Sequence, residues 1–207
     1  AAYSYPLLIK HILDAPLAYA ATQEIVYRDL KRYTYRTLRE RIGRLASALA
    51  RLGVQPGDTV AVMDWDSHRY LECFFAVPMM GAVLQTVNVR LSPEQILYTL
   101  NHAGAKIVLV NIDFLVCLNQ IRDRLETVRL FVPISDSNAS LESVISFAPE
   151  YERLLASGEP NHEFPDFDEN TRATTFYTTG TTGLPKGVYF SHRQLVLHTL
   201  ALLAAFG

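Results

Sequence analysis

The 207-residue sequence is poor in cysteine, with only Cys73 and Cys117, far apart and without C-x-x-C spacing. Each sits among apolar neighbours and reads as a small buried hydrophobe, so neither a disulfide nor a zinc site is expected. The six histidines (His11, His68, His102, His162, His192 and His198) show neither H-E-x-x-H nor H-x-x-x-H spacing, which removes the usual helical metal patterns. Charge of one sign is also missing. The 19 Lys and Arg stand against 21 Asp and Glu, a net charge of −2, and no nucleic-acid partner is expected. Long apolar runs are absent: residues 73–84 and 195–206 are the longest, at about twelve residues each, short of the roughly twenty that cross a bilayer. No basic stretch precedes an apolar core and a small-residue cleavage site near the N-terminus, so cytoplasmic residence is expected.

What the sequence does have is a regular alternation of helical and strand-like patterns. An amphipathic helix is expected near residues 6–13 and a hairpin over 24–28 and 31–35, turning at Asp29 and Leu30. A long helix over 36–52 follows, stopping at Gly53. Its five arginines (Arg36, Arg39, Arg41, Arg44 and Arg51) lie opposite Leu38, Ile42, Leu45, Leu49 and Leu52 and read as a solvated face. Strands are expected at 59–63, 82–87, 106–110 and 128–132, and helices at 67–80 (bent or shortened by Pro78), 93–102, 114–126 and 141–157. The helix over 93–102 has the clearest signals: Ser92 as N-cap, Pro93 at the first position, Gln95 completing a capping box and Gly104 beyond the end. Such alternation predicts an α/β fold, a largely parallel sheet flanked by helices. Asp64 and Asp66 read as a solvated strand end, and Trp65 and the tyrosines as core or interface aromatics.

After a polar loop over 158–170 comes the most informative segment, residues 177–188, YTTGTTGLPKGV. Gly180, Gly183 and Gly187 let the backbone turn sharply and converge N–H groups, and Thr178, Thr179, Thr181 and Thr182 add hydroxyl donors. Lys186 adds positive charge. A flexible linker is the plainer reading, but linkers are mixtures of Ser, Gly and Pro without four threonines and a fixed lysine. The segment is not the common nucleotide-binding loop G-x-x-x-x-G-K-[ST] either. Pro185 precedes Lys186 and Gly187 follows it, so no hydroxyl succeeds the lysine, and β-prone runs at 172–177 and 188–190 flank the loop. A strand–loop–strand phosphate cradle is expected. Ser191 reads as the N-cap of a helix over 194–206, with His192 early in that helix and a place beside the substrate only as its secondary reading.

YTTGTTGLPKGV followed by YFSH resembles the signature of the adenylate-forming enzymes, most closely their acyl-CoA synthetase branch. Residues 32–62 and 70–110 follow that family's N-terminal pattern nearly throughout, while the segment 135–170 is variable and offers no motif that matches. The resemblance implies the N-terminal portion of the large domain of the adenylate-forming fold. It also implies ATP, Mg²⁺ and coenzyme A as cofactors, a medium- or long-chain fatty acid as substrate, and conversion of the acid to an acyl-adenylate and then to acyl-CoA. By the same resemblance Thr178, Thr179, Gly180, Thr181, Thr182, Gly183 and Lys186 hold the β- and γ-phosphates, Lys186 acts in catalysis, and Thr178 joins the magnesium shell. Two alternatives stay open: adenylation with another acceptor, such as a carrier-protein thiol or a luciferase-like oxidation, and a non-catalytic module that keeps the fold. The oligomeric state is open too, a homodimer included. The sequence ends within an apolar helical run, and residues 1–207 are expected to be a truncated N-terminal region. Its phosphate-loop unit spans 172–192, the C-terminal half and small lid domain are missing, and the region alone is expected to be inactive.

Overall fold

Thr59–Met63 is buried at every position and Ala105–Asn111 at all but Lys106, the pattern of strands covered on both faces. The computed structural model describes residues 5–136, 148–178 and 183–206. In chain order, a 3-10 turn (Ile9–Leu13) leads into α1 (Asp14–Tyr19), a hairpin β1 (Glu24–Tyr27) and β2 (Lys31–Thr34), and α2 (Tyr35–Arg51). Then come β3 (Thr59–Met63), α3 (His68–Met79), β4 (Val83–Thr86), α4 (Pro93–His102), β5 (Ala105–Asn111), α5 (Leu115–Ile121) and β6 (Leu130–Ile134). The last elements are α6 (Tyr151–Ala156), β7 (Arg172–Thr178), β8 (Lys186–Ser191) and α7 (His192–Phe206).

Six strands form one sheet in the order β6-β5-β3-β4-β7-β8, parallel throughout except for β8, which pairs antiparallel with β7. Alternate residues of each strand serve opposite faces. Val60, Val62, Ile107 and Leu109 pack with Leu38, Ile42, Leu45 and Leu49 of α2 and with Ala76 and Val77 of α3. Ala61, Met63, Val108 and Val110 pack with Ile96 and Leu100 of α4 and Leu118 and Ile121 of α5. The β3-to-β4 connection runs one way along the sheet and the β4-to-β5 connection the other. Their helices lie on opposite faces, as crossovers of one hand require.

Local signals hold well where they are strong. Ser92 and Gln95 form the full capping box of α4 with Pro93 inside its first turn. Thr34 and Ser67 cap α2 and α3 by accepting the N–H of Thr37 and Tyr70. Several boundaries move. The expected helix over 6–13 is the 3-10 turn at Ile9–Leu13 with the α-helix only after it, and the helix over 114–126 is the short α5 with 3-10 turns at Ile112–Phe114 and Arg122–Arg124. The strand over 128–132 begins and ends two residues later, at Leu130–Ile134, in register with β5. Of the helix over 141–157, residues 141–147 lie outside the described residues; α6 starts at Tyr151, where Glu150 supplies the cap. Pro78 sits in the last turn of α3, which ends at Met79.

The arginines of α2 divide: Arg36 and Arg51 are exposed as expected, whereas Arg39 and Arg44 are half-buried and Arg41 is buried. The Arg41 guanidinium bridges Glu72 of α3 (Nε to Oε1, 2.6 Å) and Glu152 of α6 (2.9 Å). Glu72 is 0% exposed and also accepts the Tyr151 hydroxyl at 2.7 Å and that of Tyr33 at 3.3 Å. Arg69 joins Glu152 (3.2 Å) to Asp136 (2.6 Å). Burial alone drives the Glu152 carboxyl upward, yet the neighbouring His68, Arg41 and Arg69 hold it well below the usual carboxylate range. Arg44 donates to the Gly158 carbonyl at 2.8 Å, and Arg39 stacks on Phe164. The backbone after α6 runs so close to α2 that a Cβ at Gly43 would stand 2.0 Å from the Pro160 carbonyl oxygen, and one at Gly158 1.9 Å from that of Arg44. Arg41 stands one turn from both Leu38 and Leu45, at the border of the leucine stripe, and a third layer of chain covers it together with Arg39 and Arg44.

Replacing Arg41 by Leu strands the carboxylate of Glu72 in the core. Removing one partner of a buried ion pair costs about 3–5 kcal/mol, and urea unfolding of Arg41→Leu should show a loss of that size. A loss under about 1 kcal/mol would mean that the charge cluster does not hold α2, α3 and α6 together.

Candidate phosphate-binding site

All five parallel strands end on the same edge of the sheet, where side chains from several loops can converge. The β7–β8 hairpin opens there. Its register sets Tyr177 opposite Gly187 and Thr178 opposite Lys186. Thr178, Gly183 and Lys186 are exposed. Thr179, Gly180, Thr181 and Thr182 lie outside the described residues. Gly183 has φ +109°, the left-handed conformation expected of it.

Two expectations about this segment change. Lys186 and Gly187 belong to β8 rather than to the loop, because β7 continues through Thr178 and pairs with them. Gly187 is not a turn glycine. Its Cβ would lie 3.3 Å from Cε1 of Tyr177, so the missing side chain leaves room for that ring. The Tyr177 hydroxyl in turn lies 2.7 Å from Nδ1 of His102, at the end of α4, and its ring meets Tyr98 edge-on.

Elsewhere on this edge Asp64, expected to be solvated, is buried: one carboxylate oxygen accepts from Ser67 Oγ and the other from Asn111 Nδ2 at 2.7 Å. Asp66 is exposed as expected. The Asp64–Ser67 spacing, a carboxylate three residues ahead of a helix cap, was a legible signal for that bond; the reach to Asn111 on the neighbouring strand was not. Beside them, Arg28, Trp65, Asn111, Ile112, Asp113 and Asp136 line a cleft of about 450 Å³. Trp65 stands partly exposed in it, its indole N–H bonded to Asp113 at 2.8 Å.

Past the hairpin, Ser191 caps α7 as expected, exchanging hydrogen bonds with Gln194 in both directions. His192 is fully buried, does not face the hairpin opening, and accepts the Ile9 N–H on Nδ1 at 3.2 Å. Burial lowers its pKa from 6.5 to about 4, opposed by the Pro78 carbonyl.

A hydroxyl (Thr178), an ammonium (Lys186) and a left-handed glycine at one strand-end opening suit an anionic polyphosphate. A divalent cation fits the described donors only as part of a nucleotide complex, with Thr178 as one oxygen ligand and phosphates as others. Among the described residues no group of three His, Cys, Asp or Glu comes together to hold a metal. No helix among them is long and apolar enough to cross a membrane.

Residues 15–206 match the AMP-binding enzyme family, and the chain belongs to it. It is 42% identical over 197 residues to the long-chain-fatty-acid–CoA ligase of Thermus thermophilus, covering 91% of this chain and 34% of that protein. It is 38% identical over 200 residues to the 3-methylmercaptopropionyl-CoA ligase of Ruegeria lacuscaerulensis, covering 95% and 37%. The crystal structure of a putative long-chain-fatty-acid CoA ligase from Rhodopseudomonas palustris superimposes with a TM-score of 0.83 at 25% identity, over 97% of this chain and 48% of that one. These relatives are acyl-CoA ligases, and the chain spans little more than a third of the two curated sequences. The expected fold, a mostly parallel sheet between helices at the N-terminal part of an adenylate-forming enzyme, is the one observed.

The buried His192 gives stability a pH dependence with a definite sign. Its folded pKa of about 4 lies below its ordinary 6.5, so between these values the unfolded chain binds the proton and the folded chain does not. Stability is therefore complete above about pH 6.5 and falls by about 3 kcal/mol as pH drops to 4. His192→Gln, followed by urea unfolding at steps from pH 7 to 4, should flatten that slope; an unchanged slope would assign it to other groups.

Proposed function

We propose that the chain is the N-terminal part of an AMP-forming acyl-CoA ligase that activates a fatty acid, and that the β7–β8 hairpin holds the β- and γ-phosphates of ATP. The observation that carries this reading is the register that sets Thr178 against Lys186, both exposed, at the carboxyl edge of a parallel sheet. The family, and the share of its relatives' length that the chain spans, support the larger enzyme. The fatty-acid assignment leans on the long-chain ligase relative; the methylmercaptopropionyl-CoA ligase shows that the same N-terminal pattern serves another acid.

In this reading the substrate carboxylate attacks the α-phosphorus of ATP and pyrophosphate leaves, giving an acyl-adenylate; the thiol of coenzyme A then displaces AMP. Negative charge grows on the leaving pyrophosphate in the first step. The Lys186 ammonium, with the threonine hydroxyls and loop N–H groups from Thr178 to Gly183, stabilises that charge, and donors fixed in advance need no reorganisation as it develops. Magnesium, held by Thr178 and the phosphates, would add charge neutralisation. The acyl and coenzyme A sites fall to the remainder of the ligase, and the 207 residues alone are expected to turn over no substrate.

Lys186→Ala in the full-length ligase separates binding chemistry from folding. An exposed lysine at a strand end changes stability by less than about 1 kcal/mol, whereas losing a donor aimed at developing charge costs about 10²- to 10³-fold in rate. Fatty-acid-driven ATP–pyrophosphate exchange should fall by that factor with little change in melting temperature. Exchange within about twofold of wild type, or a wild type without carboxylate-dependent exchange, would refute the phosphate reading.

A further inference from the structure

We propose that Tyr177, held by His102, is the positioning residue that sets the spacing of the two phosphate-binding strand ends. The proposal rests on the phosphate-binding reading of the hairpin and adds residues that lie outside the Thr- and Gly-rich segment or at its margin.

Tyr177 touches three elements at once. It belongs to β7 and directly precedes Thr178. Its ring lies beneath Gly187 of β8, its partner in register, where an added Cβ would come within 3.3 Å of Cε1 and 3.4 Å of Cζ. Its hydroxyl reaches α4 at Nδ1 of His102, 2.7 Å away, and the imidazole meets the ring edge-on, with centroids 5.7 Å apart at 86°. Tyr98, one turn earlier on α4, meets the same ring at 80° and 6.4 Å.

This arrangement has a directional consequence. The Tyr177–Gly187 pair is the last step of the ladder before Thr178 and Lys186, so a shift of the ring moves the hydroxyl and the ammonium relative to each other. An edge-on contact alone lets a ring slide; the hydrogen bond to His102 fixes it along its long axis. A Phe at 177 fills the same space and removes only that fixation. Charge stabilisation by two donors depends on their placement within a fraction of an ångström, so the strut acts on phosphate chemistry through Thr178 and Lys186 without touching substrate itself. β8 needs such support because it is the outermost strand of the six-stranded sheet, with β7 as its one strand partner among the described residues.

The test uses the full-length ligase with Tyr177→Phe, His102→Leu and His102→Asn, the last keeping a polar atom near the Nδ1 position. Steady-state ATP–pyrophosphate exchange is measured against ATP and against the carboxylate, with amide hydrogen exchange on the same proteins. Tyr177→Phe and His102→Leu should lower kcat/KM for ATP about fivefold, the ratio expected for one ordinary hydrogen bond, with KM for the carboxylate within twofold of wild type. His102→Asn should recover most of the loss. The amides of Thr178, Lys186 and Gly187 should exchange about fivefold faster in the first two variants, with β3 and β5 unchanged. Wild-type kcat/KM and unchanged strand-end protection in Tyr177→Phe would overturn the proposal, as would an equal loss in His102→Asn. A wild type with no carboxylate-dependent exchange would instead overturn the phosphate reading, and hydrogen exchange would then decide the strut by itself.

Discussion

The buried carboxylate of Glu72 is the constraint around which one whole face of this protein is arranged. A carboxylate out of water is tolerated only if charge and hydrogen bonds replace its hydration. Arg41 supplies the charge, and Tyr33 and Tyr151 the remaining donors. Those partners come from β2, α2 and α6, so satisfying Glu72 of α3 positions four elements at once. Burial and the adjacent carboxylate drive the Tyr151 hydroxyl far above its ordinary pKa, which keeps it a donor. Arg41 also binds Glu152, which Arg69 links to Asp136, and this extends the same logic to the end of β6.

With that face closed by α2, α3 and α6 and the other by α4 and α5, the parallel strands have no exposed face, and their carboxyl edge is where the chain offers polar groups in concert. The edge is not uniform. Near β3, β5 and β6 its polar groups satisfy one another, as in the Asp64, Ser67 and Asn111 set. At β7 and β8 it presents exposed Thr178 and Lys186 instead. A site made of groups already engaged with one another has little left for a ligand; a site of exposed donors does, and this contrast favours the hairpin as the phosphate-binding end.

The outer surface of α7 carries Leu200, Leu203 and Phe206 at 52%, 63% and 86% exposure. Its apolar character is distributed around the helix rather than along one stripe, unlike α2, whose large apolar side chains Leu38, Ile42, Leu45 and Leu49 form a single stripe. In relatives nearly three times as long, more chain is available to pack against such a helix.

The strands and helices were legible because burial on both faces demands continuous apolar runs and burial on one side demands a 3.6-residue period; the α4 cap was legible because its donors and acceptors lie within three residues. The strand–loop–strand form of residues 172–192 could be read for the same reason, from β-prone runs flanking glycines and threonines. What could not be read depends on partners far away in sequence. Arg41 looks solvated until α6, more than a hundred residues later, covers it. Asp64 looks like a strand end until Asn111 of the neighbouring strand reaches it, Lys186 looks like a loop residue until β7 pairs with it, and Gly187 looks like a turn until the Tyr177 ring fills its place. The sequence by itself determined the periodicities, the caps and the Thr- and Gly-rich composition of the loop, all of them local. Only the tertiary structure decided which charges are buried and which donors stand opposite one another, because desolvation and register are properties of the neighbours that folding brings together.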